Sequence, residues 1–185
     1  MGARRIAIVF HTVEGHTNDV VERIAARFQA AGNEVQAFQL PDSPDLTRFE
    51  AVMVGGSIHM GKHHKELVNF ARAHRDVLAA RPNGFFSVSM TAITQDEPHM
   101  AQAQGYVDLF REQTGWNPDV VALVGGALQY TKYGFLKRWM IRKIVSSTGE
   151  GLGTDTHRNY DYTDYDALDA FADDFLAHAG AVGVG

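Results

Sequence analysis

Short, wholly apolar runs alternate along this chain with longer stretches in which apolar residues recur every three or four positions. "RIAIVF" (5–10) is uninterrupted after its first residue, the pattern of a strand buried on both faces. "TNDVVERIAARFQAAG" (17–32) puts Val20, Val21, Ile24 and Phe28 on one helical face and stops at Gly32. "EVQAFQL" (34–40), "FEAVMVGG" (49–56), "GFFSVSM" (84–90) and "DVVALVGGAL" (119–128) read as four further strands, and helices are expected near 64–80, 100–114 and 164–179. Five strands separated by helices predict a doubly wound parallel α/β sheet, because parallel neighbours need crossover connections. One interval breaks the rhythm: Gly125 to Thr163 is far longer than the usual βα loop of about two to six residues.

Composition narrows the class. A chain of 185 residues, 45% hydrophobic, fits one domain with a sizeable core, placed at 1–179 with an insert at about 126–163 and a tail, 180–185, expected to fray. The net charge is −5, yet Lys132, Lys137, Arg138, Arg142 and Lys143 fall between Thr131 and Gly149 with no acid among them. An acidic protein with one local basic stretch points away from nucleic acid and towards a small anionic ligand or an anionic membrane surface. The absence of cysteine excludes disulfides, thiolate metal sites and cysteine nucleophiles. "MGARRIAIVF" lacks a signal-peptide pattern, and no apolar run approaches the ~18 residues of a spanning helix, so the chain is expected to be soluble or peripheral.

In an open α/β sheet, ligands bind beyond the carboxyl ends of the strands, near the reversal of strand order. After the first strand, "HTVEGHT" (11–17) leads into a helix; its free N–H groups, Thr12, Thr17 and the permissive Gly15 could cradle a phosphate. An equally open reading is a Thr17 N-cap beside a turn glycine. Neither the Gly-Lys-Thr/Ser ending of a nucleotide-hydrolysing loop nor a G-x-G-x-x-G fingerprint occurs. "GGSIHMGKHH" (55–64) and "TAITQDEPHM" (91–100) read as loops on the same edge, suited to gripping a flat ring. His11, His16, His59, His63, His64 and His99 fall there too, but without a His-Glu-x-x-His motif or carboxylates at ligand intervals no metal is expected.

The segments "HTVEGHT", "GGSIHMGKHH", "FFSVSM", "WNPD" (116–119), "GGALQYTKYGFLKRWMIRKI" (125–144), "TDT" (154–156) and "YTD" (162–164) together resemble one flavodoxin-like family, the menaquinone-dependent protoporphyrinogen IX dehydrogenases. The resemblance runs over nearly the whole chain, and the long basic insert is its most specific part. It implies a flavodoxin-like five-stranded sheet of order 2-1-3-4-5 and an FMN whose phosphate sits in the loop of His11, Thr12, Glu14, Gly15, His16 and Thr17. The isoalloxazine would lie between the 56–64 and 91–98 loops, against Ser57, Ile58, Met90, Thr91 and Ala92, with Ser57, His59 and His64 near the reacting ring. It implies oxidation of protoporphyrinogen IX to protoporphyrin IX for haem synthesis, with electrons passed to menaquinone or another quinone by a cytoplasmic protein peripheral on the inner face of the membrane. His11 departs from the family, which has a hydroxyl residue there, and "GEGLGTDT" (149–156) is longer than expected. A flavodoxin-type electron carrier and a flavin-free binding module remain the alternatives.

The insert helix, expected over 133–145, carries a Leu136–Met140–Ile144 ridge with Arg138 and Arg142 opposite. Three readings stand: packing on the domain, anchoring at an anionic membrane through Trp139 and the cations, and capture of substrate propionates. Lys137, Arg138, Trp139, Arg142 and Lys143 are the contact residues under either functional reading.

Overall fold

A computed structural model describes residues 2–129 and 159–182. In chain order its elements are β1 (Arg5–His11), α1 (His16–Ala30), β2 (Glu34–Gln39), β3 (Ala51–His59), β4 (Lys62–His63), α2 (Lys65–Ala79), β5 (Asn83–Ser89), α3 (Glu97–Thr114), β6 (Val120–Gly125), β7 (Ala127–Gln129), β8 (Asn159–Asp161) and α4 (Tyr165–Val182). The pleat of β1 divides the core in two. Ile6, Ile8 and Phe10 face Val20, Val21, Ile24 and Phe28 of α1 and Phe171, Ala172 and Phe175 of α4. Ala7 and Val9 face the other way, towards Leu67, Phe70, Ala71 and Leu78 of α2 and Val107 and Phe110 of α3. Both faces of the sheet are therefore covered by helices, which is why the central strands β1 and β3 are buried along most of their length, while the edge strand β2, EVQAFQ, carries polar residues and is largely exposed.

The main sheet runs β2-β1-β3-β5-β6, every neighbour parallel, with β4 folded back antiparallel on β3. Without the two-residue β4 this is the 2-1-3-4-5 order expected. The segment 119–128, expected as one strand, is two. Gly126 separates β6 from β7, which leaves the sheet to pair antiparallel with β8, Ala127 opposite Asp161. The returning chain passes close by at this point: a Cβ on Gly125 would stand 2.7 Å from the carbonyl oxygen of Tyr162.

At the far end, α4 continues to Val182 rather than stopping at 179, with Ala179 and Gly180 buried. Bidentate pairs tie it to α1: Arg23 to Asp169 at 2.7 and 2.6 Å, and Arg27 to Asp173 at 2.8 and 2.6 Å. Among the described residues no helix is long and apolar enough to cross a membrane. The insert helix expected over 133–145 lies outside the described residues.

Candidate functional site

Strand order reverses at β1, which has β2 on one side and β3 on the other, and His11 at its end pairs with Gly56. This is where an open α/β sheet offers a crevice. Beyond it, the Thr12 hydroxyl oxygen accepts the Gly15 N–H at 2.9 Å and curls the loop back on itself. Gly15 caps α1 in the left-handed region, φ 95°, with no side-chain capping bond. A residue with a Cβ would be strained there. The capping role considered for Thr17 is thereby excluded, since Thr17 is the second residue of the helix. Its side chain is buried, and its Oγ1 has no hydrogen-bond partner.

A helix N-terminus with no side-chain cap, a buried hydroxyl without a partner and a second hydroxyl at Thr12 gather the kinds of donor that a phosphate-sized anion takes. These residues fit a flavin mononucleotide phosphate. His16, expected in the same loop, uses both ring nitrogens within the protein: Nδ1 is 3.2 Å from Asp19 and Nε2 is 2.8 Å from the Thr163 hydroxyl. Thr163 donates that hydroxyl to the Gly125 carbonyl at 3.0 Å and its N–H to Asp161 at 2.9 Å. Tyr165 donates to the same carboxylate at 2.5 Å. Burial pushes Asp161 upward, but the bonds from Tyr165 and Thr163 outweigh it and hold the carboxyl below its usual range. Burial and the Asp161 bond push the Tyr165 phenol up to about 12.

The second expected loop is largely strand. Gly55 to His59 belong to β3, only Met60 and Gly61 turn, with φ 51° and 77°, and β4 leads into α2. The pleat continues through two neighbouring histidines and gives them opposite fates. His63 points inward, its Nε2 3.1 Å from the Ser87 hydroxyl and its ring edge-on to Phe85 and Phe110. Burial pushes its pKa down to about 4. His64 caps α2, accepting the Glu66 N–H at 3.4 Å, and stacks on His11 with centroids 4.0 Å apart and planes within 9°. His11 Nε2 is 3.6 Å from Glu66. Its pKa is lowered by burial and by His64, against the opposing pull of Glu66.

Ser57 and Ile58 lie half-buried at the end of β3, and His59 is exposed. Across from them, the chain after β5 makes a 3-10 turn over Thr91–Ile93, in which Ala92 N–H donates to Ser89 Oγ at 3.2 Å and the Thr91 and Tyr106 hydroxyls are 3.3 Å apart. Gly126 N–H donates to the Ser89 carbonyl at 3.0 Å, so the turn holding Met90, Thr91 and Ala92 abuts the start of the insert. His99 lies in the first turn of α3, bonded to the Asp96 that caps that helix. Three of the four large hydrophobic side chains exposed among the described residues, Val13, Met60 and Met90, stand on loops of this one edge. Lys137, Arg138, Trp139, Arg142 and Lys143 lie outside the described residues.

Glu66 and the Asp161–Thr163–Tyr165 group were not anticipated as site residues. Glu66 meets His11 only because β1 and β3 are paired and β3 runs through a hairpin into α2. Nothing in the spacing of the "YTD" segment (162–164) shows that Thr163 reaches His16.

Residues 7–155 match the flavodoxin domain family. The chain is 33% identical over 92% of its length to the protoporphyrinogen IX dehydrogenase [quinone] of Leishmania major, spanning 74% of that protein. It is 29% identical, again over 92%, to the protein of the same name from Escherichia coli K12, spanning 93% of it. Among solved structures, a flavodoxin of Streptococcus pneumoniae TIGR4 superposes with a TM-score of 0.56 at 16% identity, covering 94% of this chain and 98% of that one.

Proposed function

Because the chain belongs to the flavodoxin domain family and, within it, to the quinone-dependent protoporphyrinogen IX dehydrogenases, an oxidoreductase family, we propose that it oxidises protoporphyrinogen IX to protoporphyrin IX with FMN as cofactor. The electrons pass to a membrane quinone, menaquinone or a relative, and the product serves haem synthesis. The observation that carries the cofactor assignment is the buried, partnerless Thr17 hydroxyl in the uncapped first turn of α1, at the reversal of strand order. Such a hydroxyl costs stability unless a ligand accepts from it.

When bound, FMN supplies the two-electron acceptor, used three times for each porphyrin. The chain's own residues bind and orient. Thr12, Thr17 and the N–H groups beyond Gly15 hold the phosphate, Glu14 and His16 complete the loop, and His11 closes its strand side. Ser57 and Ile58 on one side and Met90, Thr91 and Ala92 on the other form the walls for the ring, with His59 and His64 on the same rim. The apolar Val13, Met60 and Met90 favour a tetrapyrrole and an acyl-chain boundary over water.

The insert supplies the opposite charge. Arg138 takes a substrate propionate through charge-assisted bonds, and Lys137, Trp139, Arg142 and Lys143 place the domain on anionic lipid at the inner membrane face. The whole acts as a single flavodoxin-like domain carrying its insert between about 126 and 163.

A flavin titration tests the cofactor assignment. Quenching of flavin fluorescence should show FMN binding at least roughly a hundredfold tighter than riboflavin, since charge-assisted bonds to the phosphate contribute about 1.5–3 kcal/mol each. Equal affinities for the two would contradict it.

A further inference from the structure

The side chains of His11, His64 and Glu66 converge from two rigid elements at the crevice. His11 ends the central strand β1, while His64 caps α2 and Glu66 lies in its first turn. His11 Nε2 and His64 Nδ1 lie 3.6 and 3.9 Å from the same Glu66 Oε2, and one donor atom from each residue lies within 4.8 Å of the others. Two imidazoles and one carboxylate are the donor set of an open tetrahedral zinc site. With metal–ligand bonds of about 2.0–2.2 Å, the edges of such a tetrahedron are about 3.4 Å, so both carboxylate distances need to shorten by only a few tenths of an ångström.

We propose that His11, His64 and Glu66 form a binding site for a divalent ion of the zinc class, with a fourth position left for water or an anion. The mixed nitrogen and oxygen donors favour zinc, cobalt or nickel over magnesium or calcium, which take oxygen sets. Burial and the His64 neighbour keep His11 in the neutral, lone-pair form that coordination needs. His64 Nδ1 must release the long 3.4 Å bond it accepts from the Glu66 N–H, and the stacked rings must splay to aim both lone pairs at one point, so binding opens the His11–His64 stack and loosens the α2 cap. Because His11 directly precedes Thr12, an ion held there places positive charge beside the phosphate loop.

The test is a titration of chelator-treated, tag-free protein with Co²⁺, followed by its visible ligand-field bands and by Zn²⁺ competition, with isothermal calorimetry for stoichiometry. One equivalent should bind with four-coordinate bands. His11→Ala and Glu66→Gln should each weaken binding at least roughly tenfold, since even outer-shell changes cost about that much. His178→Ala, remote from the crevice, should leave it unchanged. Glu66 is partly exposed, so Glu66→Gln keeps the test valid should His11→Ala fail to fold. Absence of saturable binding, or binding that survives both His11→Ala and Glu66→Gln, would overturn the proposal.

Discussion

The Nε2 of His16 lies 2.8 Å from the hydroxyl of Thr163, 147 residues further along the chain. Through Thr163 the first turn of α1 is fastened to the Gly125 carbonyl at the end of β6, and through Asp161 to the strand that leaves the insert. The start of α1 and the exit of the insert are thus one hydrogen-bonded unit. Thr163→Val removes the link and leaves His16 buried with one partner fewer, at a cost of about 1–3 kcal/mol. Hydrogen exchange should show protection lost together at the start of α1 and in β8; loss at only one of them would separate the two.

Thr17→Val separates folding from binding. In the flavin-free protein the substitution removes a buried hydroxyl without a partner, so unfolding should be unchanged or more costly by about 1 kcal/mol. FMN affinity should fall by about ten- to a hundredfold, the equivalent of one bond to a charged acceptor. Denaturant melts and FMN titrations of the same variant check the opposite signs.

His63 gives the fold a pH dependence. Its pKa is about 4 in the folded protein and near 6.5 when unfolded, so between these values the unfolded chain binds the extra proton. The stability it protects is complete above pH 6.5 and is lost as the pH falls towards 4, by about 3 kcal/mol. With chelator present, wild type should lose that much more than His63→Gln over the same range in urea melts. Parallel curves would mean that His63 is not desolvated.

Gly55 is required by volume. A Cβ there would lie 2.1 Å from the Phe86 ring, within the sheet and with no room to retreat. Gly55→Ala should destabilise by about 1–3 kcal/mol, the usual cost of overpacking, and Phe86→Leu in the same chain should restore part of it. Thermal melts of the single and double variants decide this.

The parallel sheet was legible because its central strands β1 and β3 are buried on both faces and so read as apolar runs. The same continuity concealed the break at Gly126: Val124, Gly125, Gly126 and Ala127 offer no change of pattern, and the partner that draws β7 out of the sheet arrives only after the insert. The loop that turns from β1 into α1 was legible from Thr12, Gly15 and Thr17, but not which of them caps the helix, since that depends on the φ of Gly15. Histidines were visible at the correct edge of the sheet. Which of them face one another was not, because the pleat separates His63 from His64 and the β1–β3 register alone brings His11 to Glu66.

The insert can be tested through its charge. Changing Lys137, Arg138, Arg142 and Lys143 to Gln should weaken partition onto anionic liposomes by roughly two to three powers of ten, at ~1 kcal/mol for each cation near such a surface. FMN binding should be spared. Unaltered partition and turnover would leave the cations as a solvated face.

The central claim is met most directly under anaerobic conditions, with FMN-loaded protein, protoporphyrinogen IX and a menaquinone analogue, by following porphyrin fluorescence against controls lacking flavin or quinone. Porphyrin formation that requires both is the predicted result. Porphyrin appearing no faster than in the flavin-free control, although FMN is bound, would contradict it and leave an electron carrier of the flavodoxin type.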